Sequence, residues 1–221
     1  MTVQMSSGLY IITDPHLPFP TLCEKIELSL QAGATLLQYR AKNCDAATQF
    51  KQAKTLAAIC ADFEIPLIIN DHIELAQKVD AAGVHLGQGD DSIAKARAHL
   101  GSEAIIGITC HNDKSFAVEA AGAGADYISL GRFFSSQTKP DALGAKLSDI
   151  DAIIKCLTIP VVGIGGITVD NAAELINRGI RCLAVSGAIL RAADPANITR
   201  AFCQLLAQAQ QAPTTSPIGV T

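Results

Sequence analysis

The sequence predicts a single (β/α)8 TIM barrel, and three observations support this α/β fold class. Short apolar runs alternate eight times with segments of helical periodicity along the chain. The apolar runs are continuous rather than alternating with polar residues, which is typical of parallel strands buried on both faces. Polar residues and glycines follow the strand ends, where barrels of this kind carry their sites.

The eight predicted strands are short apolar runs bounded by turn-forming or polar residues. The first run, for example, ends at Thr13-Asp14-Pro15. The predicted strands cover residues 9–12, 35–39, 67–69, 83–86, 105–109, 127–130, 161–164 and 182–185.

The segments between these strands space their apolar residues three and four positions apart, as in a helix with one buried face. In the first of them, Leu22, Ile26 and Leu30 have this spacing, and Gly33 follows the helix end. A long loop separates the sixth strand from its helix. The predicted helices cover residues 21–31, 46–63, 73–79, 93–100, 114–123, 148–156, 169–177 and 196–211.

A doubly wound open sheet is the alternative fold. That fold binds phosphate with a glycine-rich turn after its first strand, but Thr13-Asp14-Pro15-His16 contains no glycine. No linker interrupts the chain, so we expect one catalytic domain over residues 1–211. Residues 212–221 are rich in Pro, Thr and Ser, and we expect a disordered tail there.

The composition argues against several classes of protein. The 221 residues include 17 Lys and Arg against 21 Asp and Glu, a net charge of −4 that disfavours nucleic-acid binding. No apolar run reaches the ~18 residues of a membrane span, and the N-terminus lacks signal-peptide features. The seven cysteines form no CxxC pair, so we expect reduced thiols rather than disulfides or a zinc site. These features predict a cytoplasmic chain with no nucleic-acid or membrane partner.

Polar residues and glycines follow seven of the eight predicted strands. Because all strands of a parallel barrel end at the same face, we expect these residues to converge on one mouth. A barrel with a purely structural role has no need of this convergence. The polar segments are residues 38–42, 70–72, 85–90, 109–111, 131–140, 165–168 and 186–187.

One side of this mouth has the residue types of a diphosphate site. Arg40, Lys42 and Lys139 are cations, and Asp71 and Asp90 are carboxylates on neighbouring strand–helix units. Mg²⁺ suits such a site because it binds through one or two carboxylates and substrate phosphates. The alternative is a set of surface salt bridges among the same residues.

A monophosphate site is predicted on the other side of the mouth. Gly165-Gly166-Ile167-Thr168 follows the seventh strand and Ser186-Gly187 follows the eighth, where barrels commonly bind phosphate. Glycines let backbone N–H groups approach phosphate oxygens, and a helix N-terminus adds a favourable dipole. The alternative is a pair of ordinary strand-to-helix turns.

The remaining candidate side chains indicate chemistry without a covalent enzyme intermediate. The cysteines lack a paired base, and no Ser occupies a G-x-S-x-G turn. We expect His85 to pack in the core or support the site and His72 to be solvated, while His111 is a candidate for ligand contact. The chemistry is therefore expected to depend on charge stabilisation.

The order and spacing of these motifs resemble those of the thiamine phosphate synthase family over residues 8 to 190. The matching segments are Gly8-Leu9-Tyr10-Ile11-Ile12-Thr13-Asp14, Gln38-Tyr39-Arg40-Ala41-Lys42, Ile69-Asn70-Asp71, Gly83-Val84-His85-Leu86-Gly87-Gln88-Gly89-Asp90, Gly124-Ala125-Asp126-Tyr127, Thr138-Lys139-Pro140 and Gly165-Gly166-Ile167. The chain departs from the family pattern at Ala41, where an acidic residue is frequent, and at Thr109 and Ser136, where the other hydroxyl residue is usual. Ser186-Gly187 stands where the family more often has an apolar residue followed by serine.

The resemblance implies a transferase with two small-molecule substrates. One is an aminopyrimidine that carries a diphosphooxymethyl group, and the other is a methylthiazole that carries a phosphoethyl group, with or without a carboxylate. The implied products are thiamine phosphate and pyrophosphate, formed by a dissociative displacement assisted by Mg²⁺. Such a step needs leaving-group stabilisation and orientation rather than a strong protein base.

The resemblance also implies roles for individual residues. Catalytic roles fall to Arg40, Lys42, Asn70, Thr109 and Lys139, and Mg²⁺ binding falls to Asp71 and Asp90. The implied contacts to the pyrimidine diphosphate are Gln38, Tyr39, Arg40, Ala41, Lys42, Asn70, Thr109 and Lys139. The implied contacts to the thiazole phosphate are Ser136, Gln137, Thr138, Gly166, Ser186 and Gly187.

Two alternative functions remain open at this point. One is a thiazole tautomerase-like relative, which binds one phosphate and no diphosphate. The joint presence of Arg40, Asp71, Asp90 and Lys139 argues against it. The other is a non-catalytic barrel that binds a phosphate ligand, which the fold alone does not exclude. The sequence is compatible with a homo-oligomer and does not define one.

Overall fold

Eight parallel strands form a closed barrel in the order β1 to β8, and β8 pairs with β1 to complete it. The computed structural model describes residues 7–42, 44–134 and 147–211, without the side chains of residues 147–149. The closed barrel confirms the predicted fold class and rules out the open doubly wound sheet. The expected tail over residues 212–221 lies outside the described residues.

The strand bounds agree closely with the prediction. β5 runs two residues further than the predicted 105–109, to His111, and its pairing with β6 shifts register between Thr109 and His111. The strands are β1 (Gly8–Ile12), β2 (Leu36–Tyr39), β3 (Leu67–Asn70), β4 (Gly83–Leu86), β5 (Ile105–His111), β6 (Tyr127–Leu130), β7 (Val161–Ile164) and β8 (Cys182–Val185).

The described helices alternate with the strands, and one of them was not predicted. This helix, α8, is a single turn after β8, too short to show helical periodicity in the sequence. Among the described stretches of the chain, no helix has both the length and the apolar character that crossing a bilayer requires. The helices are α1 (Phe19–Gln31), α2 (Ala46–Asp62), α3 (Ile73–Lys78), α4 (Ile93–Leu100), α5 (Lys114–Gly122), α6 (Leu147–Ile154), α7 (Val169–Ile176), α8 (Gly187–Leu190) and α9 (Pro195–Gln211).

The barrel has two apolar cores because successive strand residues point to opposite faces of the sheet. The outer core lies between strands and helices and includes Leu37, Ile69 and Val84. Burial on both faces explains the continuous apolar runs of the sequence. The inner core fills the barrel with Tyr10, Ile12, Leu36, Ile68, Ile105, Tyr127, Val162, Cys182 and Ala184.

Gly107 on β5 makes room for the ring of Tyr127 inside the barrel. A Cβ atom at Gly107 would lie 2.0 Å from Cζ of Tyr127, far inside van der Waals contact. The phenol ring therefore occupies the space that a side chain on β5 would fill. This placement carries the Tyr127 hydroxyl across the interior, where it reaches side chains from β1 and β4.

Candidate active site

Thr13, directly after β1, holds the backbone of Arg40 at the end of β2. The Thr13 hydroxyl accepts a hydrogen bond from the Arg40 N–H at 2.8 Å and donates to the Arg40 carbonyl at 3.0 Å. Thr13 is buried, whereas Arg40 is half-buried at the mouth. The buried hydroxyl therefore fixes the position of the Arg40 backbone at the end of β2. Sequence reasoning assigned Thr13 no role.

Asp14 is fully buried and forms a two-point ion pair with Arg191, which follows α8. The Arg191 Nε lies 2.5 Å from Oδ2 of Asp14, and the Arg191 Nη2 lies 3.3 Å from Oδ1. Burial alone would raise the pKa of Asp14, but hydrogen bonds from Arg191 and the His16 N–H outweigh it and lower the pKa. The pair ties the end of β1 to the region after β8.

Lys42 and Asp71, two residues predicted at the mouth, lie together. Nζ of Lys42 is 3.1 Å from Oδ2 of Asp71, and the Asp71 side chain is only 16% exposed. Asp71 has a left-handed backbone with φ of 63°, a conformation that Asp tolerates better than most residues. Its N–H donates to the His85 carbonyl at 2.9 Å, so the end of β4 holds Asp71 in place.

Asn70, the last residue of β3, adjoins this pair. It is half-buried and lies in register with His85 on β4. Ile68 belongs to the inner core, so Asn70, two residues later, is on the same inward face of β3. Its amide therefore lies at the floor of the mouth beside Asp71.

Asp90 stands in a tight turn after β4. Its Oδ2 accepts a hydrogen bond from the Gly87 N–H at 2.7 Å, and its own N–H donates to the Gly87 carbonyl at 3.2 Å. The carboxylate is thus fixed to the loop while the residue remains exposed. Within the described ranges, no three His, Cys, Asp or Glu side chains group as metal ligands.

The carboxylates of Asp71 and Asp90 fit the requirements of Mg²⁺. This ion takes one or two protein carboxylates and fills its other positions with water and phosphate oxygens. A zinc site would need three or four protein ligands instead.

Tyr39 and Ala41, also predicted as substrate contacts, meet α2 instead of the barrel interior. The hydroxyl of Tyr39 donates to Oε1 of Gln52 at 2.8 Å, and the side chain is almost completely buried. The Ala41 carbonyl accepts from Nε2 of Gln49 at 2.8 Å. Gln38 faces inward on β2, so its neighbour Tyr39 must face outward. The Tyr39 side chain is therefore directed away from the mouth.

The turn after β7 is shaped by two glycines in left-handed conformations. Gly165 has φ of 99° and Gly166 has φ of 67°. A Cβ atom on Gly165 would lie 2.8 Å from Cα of Arg132, so only glycine fits this close approach. Asn171 of α7 closes the turn, since its Nδ2 donates to the Gly166 carbonyl at 3.0 Å. The turn is a rigid backbone surface at the mouth.

Ser186 and Gly187 form the adjoining turn, between β8 and α8. The Ser186 carbonyl accepts the first helical hydrogen bond, from Leu190 N–H at 2.9 Å. A Cβ atom at Gly187 would lie 3.5 Å from Nε of Arg191, so this turn packs beside the ion pair with Asp14. The first N–H groups of a helix have no partner within the helix and can bind an anion.

The predicted residues Ser136, Gln137, Thr138 and Lys139 lie outside the described residues. The described chain before them ends at Phe134, whose N–H donates to the Gly165 carbonyl at 3.1 Å. Phe134 itself therefore lies beside the Gly165–Gly166 turn.

A hydrogen-bonded set of polar side chains crosses the barrel interior below the mouth. Nε2 of Gln38 donates to the Tyr10 hydroxyl at 2.7 Å, and the Tyr10 and Tyr127 hydroxyls are 3.0 Å apart. Nδ1 of His85 lies 2.8 Å from the Tyr127 hydroxyl, and Nε2 of His85 lies 2.8 Å from Oγ1 of Thr109. Gln38, Tyr10, Tyr127, His85 and Thr109 are called the interior network below. The sequence pattern did not predict a role for the two tyrosines, because both lie within apolar strands.

Burial sets the protonation states within the interior network. Desolvation lowers the pKa of His85 to about 4, against a smaller opposing effect from Asp90, so the imidazole is neutral at neutral pH. Burial likewise raises the pKa of Tyr10 and of Tyr127, so both remain phenols. His85 is buried, in agreement with the expectation of a core or supporting role.

Comparisons with known proteins identify the family of the chain and similar solved structures. The family described as thiamine monophosphate synthase matches residues 9–189. A thiamine-phosphate synthase of Nitrosomonas eutropha is 45% identical over 199 residues, which covers 90% of this chain and 94% of the relative. One of Marinobacter nauticus is 48% identical over 187 residues, 84% of each chain. The solved structure of thiamine phosphate pyrophosphorylase from Pyrococcus furiosus has a TM-score of 0.83 and 31% identity, covering 93% of this chain and 98% of that one.

Proposed function

The chain belongs to the thiamine monophosphate synthase family, and we propose that the mouth of its barrel holds the two substrates of that reaction at separate anion sites. Its activity is that of a thiamine-phosphate synthase, a transferase of thiamine biosynthesis. An aminopyrimidine methyl diphosphate loses pyrophosphate, and the nitrogen of a thiazole phosphate bonds to the methylene carbon. The observation that carries the diphosphate side of this proposal is the Lys42–Asp71 pair, which places cation and carboxylate together beside β3.

The diphosphate occupies the side of the mouth formed by β2, β3 and β4. Arg40 and Lys42 supply positive charge, Asn70 supplies an amide donor, and Lys139 is the third cation that we assign to this site. Negative charge grows on the diphosphate as its C–O bond breaks, so contacts that strengthen at that moment accelerate the reaction. Thr13 supports this arrangement because it fixes the backbone from which the Arg40 side chain extends.

Asp71 and Asp90 are the residues that would hold Mg²⁺ at this site. When bound, Mg²⁺ neutralises charge on the diphosphate oxygens. The fit rests on two carboxylates whose positions are fixed by the chain: the Asp71 backbone N–H donates to the His85 carbonyl, and the Asp90 carboxylate accepts from the Gly87 N–H. Lys42 neutralises Asp71 in their ion pair.

The pyrimidine ring lies over the barrel interior, against Gln38 and Thr109. Gln38 is almost completely buried and Thr109 is half-buried, so both are at the floor of the mouth. The inner core beneath them fills the barrel, so the pyrimidine ring meets packed protein on that side. This environment suits a dissociative step, in which a pyrimidine cation forms before the thiazole nitrogen attacks.

The thiazole phosphate binds at the two turns after β7 and β8. Gly166 and Gly187 present backbone N–H groups there, and Ser186 adds a hydroxyl. Ser136, Gln137 and Thr138 follow Phe134, which contacts the first of these turns. We also propose a single catalytic domain over residues 1–211 and a cytoplasmic location.

Ser136→Ala and Thr138→Ala are each expected to raise the KM for the thiazole phosphate roughly tenfold to a hundredfold. Removal of one hydrogen bond to a charged oxygen costs about 1.5–3 kcal/mol. Steady-state kinetics with each substrate varied in turn measures the effect. Thr55→Ala on the exposed side of α2 is the matched control and should change neither KM. An equal rise in KM for both substrates would contradict two distinct sites.

Pyrophosphate release tests the proposed function as a whole. With both substrates and Mg²⁺ present, the protein should release one pyrophosphate for each thiamine phosphate formed. Omission of the thiazole phosphate should prevent formation of thiamine phosphate. A tautomerase-like relative or a non-catalytic phosphate-binding barrel would release no pyrophosphate from this pair of substrates. That result would reject the proposal.

A further inference from the structure

The interior network joins side chains from five strands into one continuous line. Its four hydrogen bonds measure 2.7, 3.0, 2.8 and 2.8 Å from Gln38 through Tyr10, Tyr127 and His85 to Thr109. The two ends of this line, Gln38 and Thr109, are the residues placed above against the pyrimidine ring. The three middle members contact each other and the ends.

The number of protons in this line restricts the direction of its hydrogen bonds. Each tyrosine hydroxyl carries one proton, and a neutral imidazole has one donor and one acceptor nitrogen. If the Gln38 amide donates to Tyr10, the Tyr10 proton is given to Tyr127. The direction chosen at one end therefore fixes the direction at the other.

Two directions are available. In the first, Tyr127 donates to Nδ1 of His85, and the proton on Nε2 is given to Thr109. The Thr109 hydroxyl can then donate its own proton to a partner at the mouth. The side-chain carbonyl oxygen of Gln38 can accept a hydrogen bond there. In the reverse direction, Thr109 donates to His85, and Tyr10 donates to the Gln38 carbonyl.

We propose that Tyr10, Tyr127 and His85 are positioning residues that hold the first direction, so that Gln38 presents an acceptor and Thr109 presents a donor to the substrate ring. The arrangement in the structure, with Nε2 of Gln38 against Tyr10, is this direction. Oγ of Ser129 lies 3.4 Å from Nε2 of His85 and 3.5 Å from Oγ1 of Thr109, so in this direction it accepts from the His85 N–H or donates to Thr109.

The proposal rests on the proposed function and adds a basis for substrate choice. An aminopyrimidine offers an amino group that donates and a neighbouring ring nitrogen that accepts. An oxo-pyrimidine of the same shape offers the opposite pattern, a carbonyl oxygen and a ring N–H. The fixed direction of the interior network therefore selects the amino form and rejects the oxo form.

Nitrogen NMR of the ligand-free protein tests the direction without any assay of activity. With histidine labelled with ¹⁵N and the His85 signals assigned through His85→Gln, Nε2 should carry the proton and Nδ1 should not. Tyr127→Phe removes the donor to Nδ1 and should shift the tautomer balance. Tyr39→Phe removes the tyrosine hydroxyl on the outer face of β2 and should leave the His85 signals unchanged. A proton on Nδ1, or an even mixture of tautomers, would overturn the proposal.

Kinetics with the amino- and oxo-pyrimidine diphosphates gives the second readout. In Tyr10→Phe and in Tyr127→Phe, the ratio of kcat/KM for the amino form to that for the oxo form should fall at least about tenfold. A parallel loss of kcat/KM for both compounds, with the ratio unchanged, would mean a merely structural role and would overturn the proposal. If neither compound reacts with the unaltered protein, the proposed function fails, and the NMR result alone decides the direction.

Discussion

Asp71→Asn is expected to lower kcat at least about a hundredfold while the barrel stays folded. The carboxylate adjoins Lys42 at the diphosphate side of the mouth, and its charge is needed to hold Mg²⁺ against the leaving group. Asn tolerates the left-handed backbone at this position as well as Asp does, so the exchange adds no backbone strain. Turnover measured across a Mg²⁺ titration, with circular dichroism as the check on folding, gives the result.

Two further variants, one at the second proposed ligand and one control, complete the Asp71 experiment. Asp90→Asn should have a similar effect, because its carboxylate is the second proposed ligand. Asp62→Asn is the matched control, since Asp62 is exposed at the end of α2, on the opposite end of the barrel from the mouth. It should keep full activity. The metal assignment is wrong if both mouth variants keep full turnover with an unchanged dependence on Mg²⁺.

Arg191→Ala is expected to destabilise the protein by roughly 3 kcal/mol, because it leaves the buried carboxylate of Asp14 without its partner. The estimate is at the low end for a broken buried pair because the Arg191 side chain itself is 38% exposed. Urea unfolding at neutral pH measures the loss. Arg200→Ala on the exposed face of α9 is the control and should change stability little.

The effect of Arg191→Ala should depend on pH in a defined direction. The pKa of Asp14 is lower in the folded protein than in the unfolded chain, so the pair stabilises the protein fully above the unfolded pKa. This contribution is lost as the pH falls through the folded pKa. The difference between the two proteins should therefore be largest at neutral pH and shrink below about pH 4. A difference that stays constant down to pH 3 would contradict a charged Asp14.

The sequence predicted the barrel well because its fold depends on local patterns. Each strand is a continuous apolar run and each long helix has its own periodicity, so alternation alone specifies the eight units. α8 was not predicted, because a single helical turn is too short to show a helical periodicity of apolar residues. The mouth was predictable for the same reason, since strand ends can be read from the chain. Lys42 and Asp71 then meet because β2 and β3 are neighbours.

Residues that act through distant contacts could not be found in this way. Asp14 and Arg191 are 177 positions apart, and Tyr10 and Tyr127 are 117 positions apart. No local pattern marks such pairs, and a tyrosine within an apolar strand resembles any other core residue. Tyr39 shows the opposite kind of error, in which a motif suggests a contact that the structure does not favour. The family motif includes Tyr39, but the alternation of side chains along β2 directs its side chain outward.

A crystal structure of the protein with Mg²⁺, pyrophosphate and thiamine phosphate tests the two-site account most directly. The account predicts pyrophosphate beside Asn70, with Mg²⁺ between it and the carboxylates of Asp71 and Asp90. It also predicts the phosphate of thiamine phosphate against the backbone of Gly166 and Gly187, on the opposite side of the mouth. Both anions on one side, or a thiamine phosphate whose phosphate lies beside Asp71, would contradict it.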